Sequence, residues 1–111
     1  MKVQNLINQP GFQVQNEGEN LQREIFSPYC CDLLSIAMGK MPVDSAWVTV
    51  MGNINTLAVA TLADAACIVL AEGSKLDEPA LNKAKEQGIT VLTTELPIFD
   101  AALFIYQKLH E

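Results

Sequence analysis

The most regular pattern in the chain is a series of short apolar runs in its second half, each followed by a turn and a segment with helix signals. The runs at residues 46–51 (AWVTVM), 66–71 (ACIVLA) and 89–92 (ITVL) are rich in β-branched or aliphatic residues, which favours strands. The middle run has no polar position, as is typical of a parallel strand covered on both faces. The pattern therefore predicts three strands of one sheet.

The segments that follow these runs have the signals of helices. Residues 55–64 and 96–109 are predicted helices, and a third begins near Asp77 and Pro79 and ends at Gly88. Strands that alternate with helices at this spacing are parallel, and right-handed crossovers connect them. The second half of the chain therefore predicts a parallel α/β sheet.

The first half of the chain has more mixed signals. A short helix is predicted over residues 3–8, and residues 12–14 and 23–29 are predicted extended pieces that join one side of the sheet. Asp32 is a candidate N-cap for the next helix, and Gly39 is its candidate C′ residue.

Together these elements predict an α/β fold, with a mainly parallel sheet of four to five strands in two or three layers and with βα crossovers. The chain has 111 residues, which predicts a single domain. Residues 1–28 supply its N-terminal helix and short strands, and residues 29–111 form its core.

Composition narrows the choice of partners. The formal net charge of −6 would repel phosphate backbones and anionic headgroups, so nucleic acid and membrane surfaces are not expected partners. Charged residues make up only 18% of the chain, which favours a buried subunit interface and predicts a homodimer. No run has the length of a signal peptide or a bilayer span, so the expected location is cytoplasmic.

Ligands of open parallel sheets bind outside the carboxyl ends of the strands, where the βα turns gather. The candidate ligand-binding residues share that position: Gly52, Asn53, Asn55, Glu72, Gly73, Thr93 and Thr94. Helices that begin near Asn55 and Thr94 would direct free N–H groups at an anion there. The alternative is that Asn53, Asn55 and Thr94 cap helices and shape turns, as such residues commonly do.

The sequence has no convincing set of groups for catalysis or metal binding: its carboxylates are scattered, and only Glu72 and Glu95 fall at the same sheet edge. His110 is the single histidine and lies one residue from the end, which removes Ser-His-Asp and Cys-His arrangements and most zinc sites. Cys67 lies in an apolar strand and is interpreted as a core residue, while a reactive thiol at Cys30 or Cys31 stays open. We therefore expect no enzyme activity, no cofactor and no metal.

The chain also resembles DRTGG-type domains over residues 29–109. The matching segments are residues 32–35 (DLLS), 38–39 (MG), 58–60 (AVA), 66–73 (ACIVLAEG), 88–94 (GITVLTT) and 99–102 (FDAA). The resemblance implies an α/β regulatory domain that is often dimeric. Relatives are attached to nucleotide-sensing CBS modules in pyrophosphatases or to phosphate acetyltransferases, and short stand-alone copies accompany iron-only hydrogenase systems.

Two motif positions depart from that family. The Gly-Asp-Arg expected after the first clear strand is Gly52-Asn53-Ile54, and the Thr-Gly-Gly after the next strand is Ala71-Glu72-Gly73. If the charged motif binds an anion in relatives, this chain lacks its strongest group.

The sequence leaves two main functions open. The first is a non-catalytic regulatory or ligand-binding domain, homodimeric, that senses a small anionic or nucleotide-like ligand at the carboxyl edge of the sheet. The second is a protein-assembly partner without a small-molecule site, in a hydrogenase or redox system. A phosphoryl-transfer or redox enzyme that uses Asp32, Glu72 or Cys31 is the least favoured reading.

Overall fold

The computed structural model describes all 111 residues and contains five helices and five strands. In chain order they are α1 (Val3–Ile7), β1 (Gln13–Asn16), β2 (Ser27–Cys30), α2 (Leu34–Lys40), β3 (Ser45–Thr49), α3 (Ile54–Leu62), β4 (Cys67–Leu70), α4 (Glu78–Gln87), β5 (Val91–Thr93) and α5 (Ile98–Leu109). The predicted α/β class with a mainly parallel sheet is confirmed.

The five strands form one sheet in the order β1-β5-β4-β3-β2. Strands β2 to β5 are mutually parallel, and β1 pairs antiparallel with β5. The two early extended pieces therefore occupy opposite edges of the sheet, and the prediction that they join one side is wrong. The reason lies in pairings between residues far apart in the chain. The successive crossovers leave β2 and β5 at the two edges of the parallel sheet, and β1 pairs with β5.

The sheet is covered on both faces, which makes three layers. Along each central strand alternate side chains enter different cores, since neighbouring residues of a strand point to opposite faces. Val48 and Val69 pack with α1 and α5, whereas Trp47 and Ile68 pack with α2, α3 and α4. The layers follow from handedness, because successive right-handed crossovers in one direction place their helices on the same face.

The N-terminal residues belong to the same core as the rest of the chain. Val3 and Leu6 of α1 are fully buried and share a hydrophobic cluster with Ile105 of α5. Phe12 enters the same cluster, and its ring centroid lies 5.4 Å from that of Phe104. None of the five helices combines the length and the apolar character that crossing a bilayer requires.

Helix boundaries match the sequence signals where the signal is a local hydrogen bond. The Asp77 side chain accepts from the Ala80 N–H and caps α4, and Gly88 ends that helix in the left-handed conformation at φ +67°. Both predictions are confirmed.

The predicted ends of α2 are wrong. Leu33 is its N-cap, without a side-chain hydrogen bond, and Gly39 lies inside the helix. The Asp32 carboxylate instead accepts from the Thr49 hydroxyl at 2.6 Å and from the Val50 N–H at 3.0 Å. Asp32 therefore does not cap α2, because its carboxylate is bonded to two donors at the end of the neighbouring strand β3.

Candidate functional site

The carboxyl ends of the parallel strands converge at one edge of the sheet. Gly52 follows β3, Gly73 follows β4 and Thr93 ends β5, and these three strands are neighbours. The two last turns are directly connected, since the Gly73 N–H donates to the Thr94 carbonyl at 3.0 Å. The predicted convergence of the turns is therefore present.

A crevice opens where neighbouring turns leave the sheet in opposite directions. The turns after β3 and β4 both lead to helices on the same face, α3 and α4. The turn after β5 leads to α5 on the opposite face. The divergence between β4 and β5 is the switch point of this sheet, and a cavity of about 600 Å³ lies there.

Three segments line this cavity. Gly11 and Gln13 come from the entry to β1, Gly73 and Lys75 from the turn after β4, and residues 93–97 from the turn after β5. Only one of the nine lining residues is hydrophobic. The wall instead offers two threonine hydroxyls, an amide, an ammonium and a carboxylate, which suits a polar ligand.

The turn after β4 is held in an unusual backbone conformation. Glu72 and Gly73 have φ angles of +60° and +72°, both in the left-handed region. Their N–H groups donate to the Leu96 and Thr94 carbonyls at 2.9 and 3.0 Å. These bonds fasten the two loops of the switch point together, so neither N–H group is free for a ligand.

A side-chain amide anchors the backbone of the loop that carries Lys75. The Gln15 carboxamide accepts from the Leu76 N–H at 2.9 Å and donates to the Leu76 carbonyl at 3.4 Å. Strand β1 is thereby attached to the loop that carries Lys75, and the two sides of the cavity are held at a defined separation.

The structure divides the seven predicted site residues into two groups. Gly73, Thr93 and Thr94 line the cavity. The other four do not line it: Gly52, Asn53, Asn55 and Glu72.

Gly52 contacts the protein's own backbone. A Cβ atom at this position would lie 2.2 Å from the Lys75 carbonyl oxygen, and the Gly52 carbonyl accepts from the Asp77 N–H at 3.0 Å. Since the turns after β3 and β4 lead to the same face, they pack against each other and leave no crevice between them. The space that a side chain at residue 52 would need is filled here by the backbone of Lys75.

Asn53 and Thr94 shape local structure. The Asn53 side chain accepts from the Asn55 and Thr56 N–H groups at 3.0 and 3.2 Å and caps α3. The Thr94 hydroxyl accepts from the Leu96 N–H at 3.2 Å. Helix α5 does not begin near Thr94: its first residue is Ile98, with Pro97 as an N-cap that offers no side-chain acceptor.

The predicted site residues leave out Gln13, Lys75 and Glu95 of the cavity, although Glu95 belongs to one of the turns expected at this edge. Lys75 and Glu95 each lie within two residues of a predicted site residue, so wider windows around Gly73 and Thr94 would have included them. Gln13 was not identifiable, because the sequence does not say that β1 pairs with β5.

All three cysteines are free thiols. The structure contains no group of three or more histidine, cysteine or acidic side chains placed to hold a metal ion. Burial raises the pKa of the Cys67 thiol to about 12. Burial, with the negative charges of Asp32 and Cys31, also raises the pKa of Cys30, which lowers its thiolate fraction at neutral pH.

A smaller polar cavity of about 110 Å³ lies beside Arg23, at the amino ends of the parallel strands. Arg23 binds the Asp44 carboxylate at 2.6 Å and the Asp64 carboxylate at 2.9 Å. Both aspartates have left-handed φ angles, +67° and +58°. The guanidinium is already paired with two carboxylates that hold these turns, which assigns it a structural role.

Comparison with known proteins identifies the architecture. No protein-family model matches the chain, and no curated protein matches it. Among solved structures, the chain is similar to the CBS and DRTGG domains of the regulatory region of Clostridium perfringens pyrophosphatase, complexed with its activator diadenosine tetraphosphate. The TM-score is 0.77 at 16% sequence identity. The two chains share a fold.

This DRTGG/CBS-like fold accounts for nearly the whole chain. The match covers 96% of this chain and 46% of the pyrophosphatase chain, so this protein spans about half the length of that neighbour. The fold implied by the DRTGG resemblance is confirmed at that level, while membership of the family itself stays a prediction.

Proposed function

We propose that this protein is a non-catalytic regulatory domain that binds a small ligand with an anionic group in the cavity between β1, β4 and β5. The observation that carries the proposal is the position of the cavity at the one switch point of the sheet, where open α/β sheets bind their ligands. The pyrophosphatase region with the same fold is regulatory and is complexed with a nucleotide activator, which supports the same class of function here.

Lys75 supports an anionic group on the ligand. It is the one cationic residue that lines the cavity, and it forms no ion pair and no side-chain hydrogen bond within the protein. The adjacent start of α5 also favours an anion. Pro97 provides no side-chain acceptor for the first N–H groups of this twelve-residue helix, so they carry a partial positive charge toward the cavity. A charge-assisted hydrogen bond to Lys75 would orient the anion.

Isothermal titration calorimetry with defined ligands tests this proposal. The titrants are orthophosphate, adenine nucleotides, diadenosine tetraphosphate, simple carboxylates and free amino acids. At least one should bind, and Lys75→Ala should weaken that binding about tenfold or more, because a hydrogen bond to a charged group is lost. Lys85→Ala is the matched control, since Lys85 is also exposed but lies near the far end of α4.

Two results would contradict the proposed site. One is the absence of any heat of binding at millimolar ligand, with the protein folded by circular dichroism. The other is binding that Lys75→Ala and Lys85→Ala reduce equally, which would mean a general charge effect.

The domain is further proposed to act as a homodimer through α5. Phe99, Leu103 and Tyr106 recur at helical spacing on its outer face and are 70%, 40% and 50% exposed. The opposite face of the same helix buries Ala101 and Ile105 against the sheet. An exposed apolar stripe on a folded helix favours a contact with another protein surface.

Light scattering over a range of concentrations checks the dimer. The wild type should have twice the mass of the chain, and Leu103→Glu should shift it to the monomer because a carboxylate would be buried in the interface. Asn82→Glu adds the same charge at an exposed position of α4, on the other face of the sheet, and should leave the dimer intact. A wild type that is monomeric throughout would contradict the homodimer and favour the alternative function, a protein-assembly partner that uses this stripe.

A further inference from the structure

The cavity contains one charge of each sign, and the two do not neutralise each other. Lys75 and Glu95 both line it. Neither belongs to any of the five ion pairs of the structure, and neither side chain has a hydrogen-bond partner. Opposite charges within 4 Å would have formed a salt bridge, so the ammonium and the carboxylate stand further apart with the polar cavity beside both.

The position of Glu95 depends on Gly73. A Cβ atom on Gly73 would lie 2.7 Å from one oxygen of the Glu95 carboxylate and 3.3 Å from the other. The carboxylate therefore lies against the bare backbone of the turn after β4, in space that any larger residue would fill. Gly73 both adopts a left-handed φ and leaves room for the acid.

The remaining wall favours a compact polar molecule over a purine ring. No aromatic residue lines the cavity, so it offers no aromatic ring on which a base could stack. Thr93, Thr94 and Gln13 instead add hydroxyl and amide groups that donate and accept hydrogen bonds.

We propose that the ligand is a zwitterion of the amino-acid type, whose carboxylate binds Lys75 and whose ammonium binds Glu95. This inference rests on the proposed function, because it assigns the chemical class of ligand to the same cavity. A ligand with only an anion would bind Lys75 but would face the uncompensated carboxylate of Glu95. A zwitterion pairs with both charges at once.

Chemical derivatives of one ligand separate the two charges. Each common L-amino acid is titrated into the wild type by calorimetry, and the tightest binder is compared with its N-acetyl and its carboxamide derivatives. N-acetylation removes the ammonium, and amide formation removes the carboxylate. Each derivative should bind about tenfold more weakly or worse, since each loses one charge-assisted hydrogen bond.

The sign of the Glu95→Gln effect distinguishes the ligand classes. A zwitterion should bind the variant about tenfold more weakly, whereas a simple anion such as orthophosphate should bind it as well as the wild type or more tightly, because a repulsive charge is gone. Lys75→Gln should weaken both ligands. Both residues are exposed, so neither variant is expected to unfold, and thermal melts verify this.

The outcomes separate this inference from the proposed function. If phosphate or a nucleotide binds, amino acids do not, and Glu95→Gln tightens binding, the zwitterion is overturned while the anion site at Lys75 stands. If nothing on either panel binds, both are overturned. Equal affinity for an amino acid and its N-acetyl derivative would also overturn the role of Glu95.

Discussion

Gly18 and Gly39 each precede a charged residue, and their surroundings differ completely. A Cβ atom on Gly18 would lie 2.2 Å from the Gly88 carbonyl oxygen and 2.6 Å from the Thr90 nitrogen, both backbone atoms. The Gly18 N–H also donates to the Thr90 hydroxyl at 2.9 Å. Nothing lies within 4 Å of a Cβ on Gly39, which is inside α2. The first glycine is required by tertiary packing and the second is not.

Alanine at these two positions should therefore have opposite effects on stability. We expect Gly18→Ala to lower the free energy of unfolding by about 1–3 kcal/mol, because the 16–20 turn must move away from the start of β5. Gly39→Ala should raise it by up to about 1 kcal/mol through helix propensity. Urea titration followed by circular dichroism measures both, and equal effects would contradict the close packing at Gly18.

Cys67 and Cys30 should both react more slowly than a free cysteine, for different reasons. Cys67 is fully buried and its pKa is about 12, so iodoacetamide should modify it only when the protein unfolds. Cys30 is exposed, but its raised pKa should make it slower than a free cysteine at neutral pH. Mass spectrometry of native and urea-unfolded protein assigns the sites, and rapid native modification of Cys67 would contradict its burial.

At the scale of elements, the question for Asn53 is whether it caps a helix or binds a ligand. Its side chain already accepts from two N–H groups at the start of α3, and it does not line the cavity. Helix ends of this kind are predictable from sequence because the capping bond connects residues only two or three positions apart. Asp77 and Gly88 were predicted for the same reason, whereas Asp32 failed because its donors lie on another strand.

Replacement of Asn53 should affect stability without affecting the ligand. We expect Asn53→Ala to lower the free energy of unfolding by about 1 kcal/mol, because the capping bonds are lost. The affinity of the cavity for its ligand should be unchanged in calorimetry. Asn53→Asp keeps an acceptor at the cap and should be close to the wild type. If a stable Asn53→Ala variant no longer binds the ligand, Asn53 is part of the binding site and this assignment is wrong.

At the scale of the whole molecule, strand β4 joins the two cores. Ile68 and Leu70 pack on the face covered by α2, α3 and α4, while Cys67 and Val69 pack on the face covered by α1 and α5. All four residues of the strand are fully buried. A strand that is central in the sheet and shared by both layers couples them, so we expect the domain to unfold in one cooperative transition.

Truncation in this strand should destabilise the entire domain. Leu70→Ala should cost about 2–5 kcal/mol through lost burial and the cavity it leaves. Near- and far-ultraviolet circular dichroism should report the same midpoint for both wild type and variant. Leu62→Ala removes the same atoms from a side chain that is 72% exposed and should change stability by less than about 1 kcal/mol. Separate transitions for the two signals would contradict the coupling of the layers.

The amino-acid sequence by itself determined the local part of this structure. Apolar runs specified the central strands, and the strand–helix alternation with the handedness of crossovers specified their parallel arrangement. Gly73, Thr93 and Thr94 were identified because they follow strands whose carboxyl ends must meet at one edge.

Tertiary structure decided where along that edge a cavity opens. Helix α5 covers the face opposite to α4, so the chain leaves β4 and β5 toward different faces of the sheet. Strand β1 then adds Gln13 to the wall, while Lys75 fills the space beside Gly52. These contacts join residues far apart in the chain, and periodicity and turn signals carry no information about such pairings because they report only on neighbours in sequence.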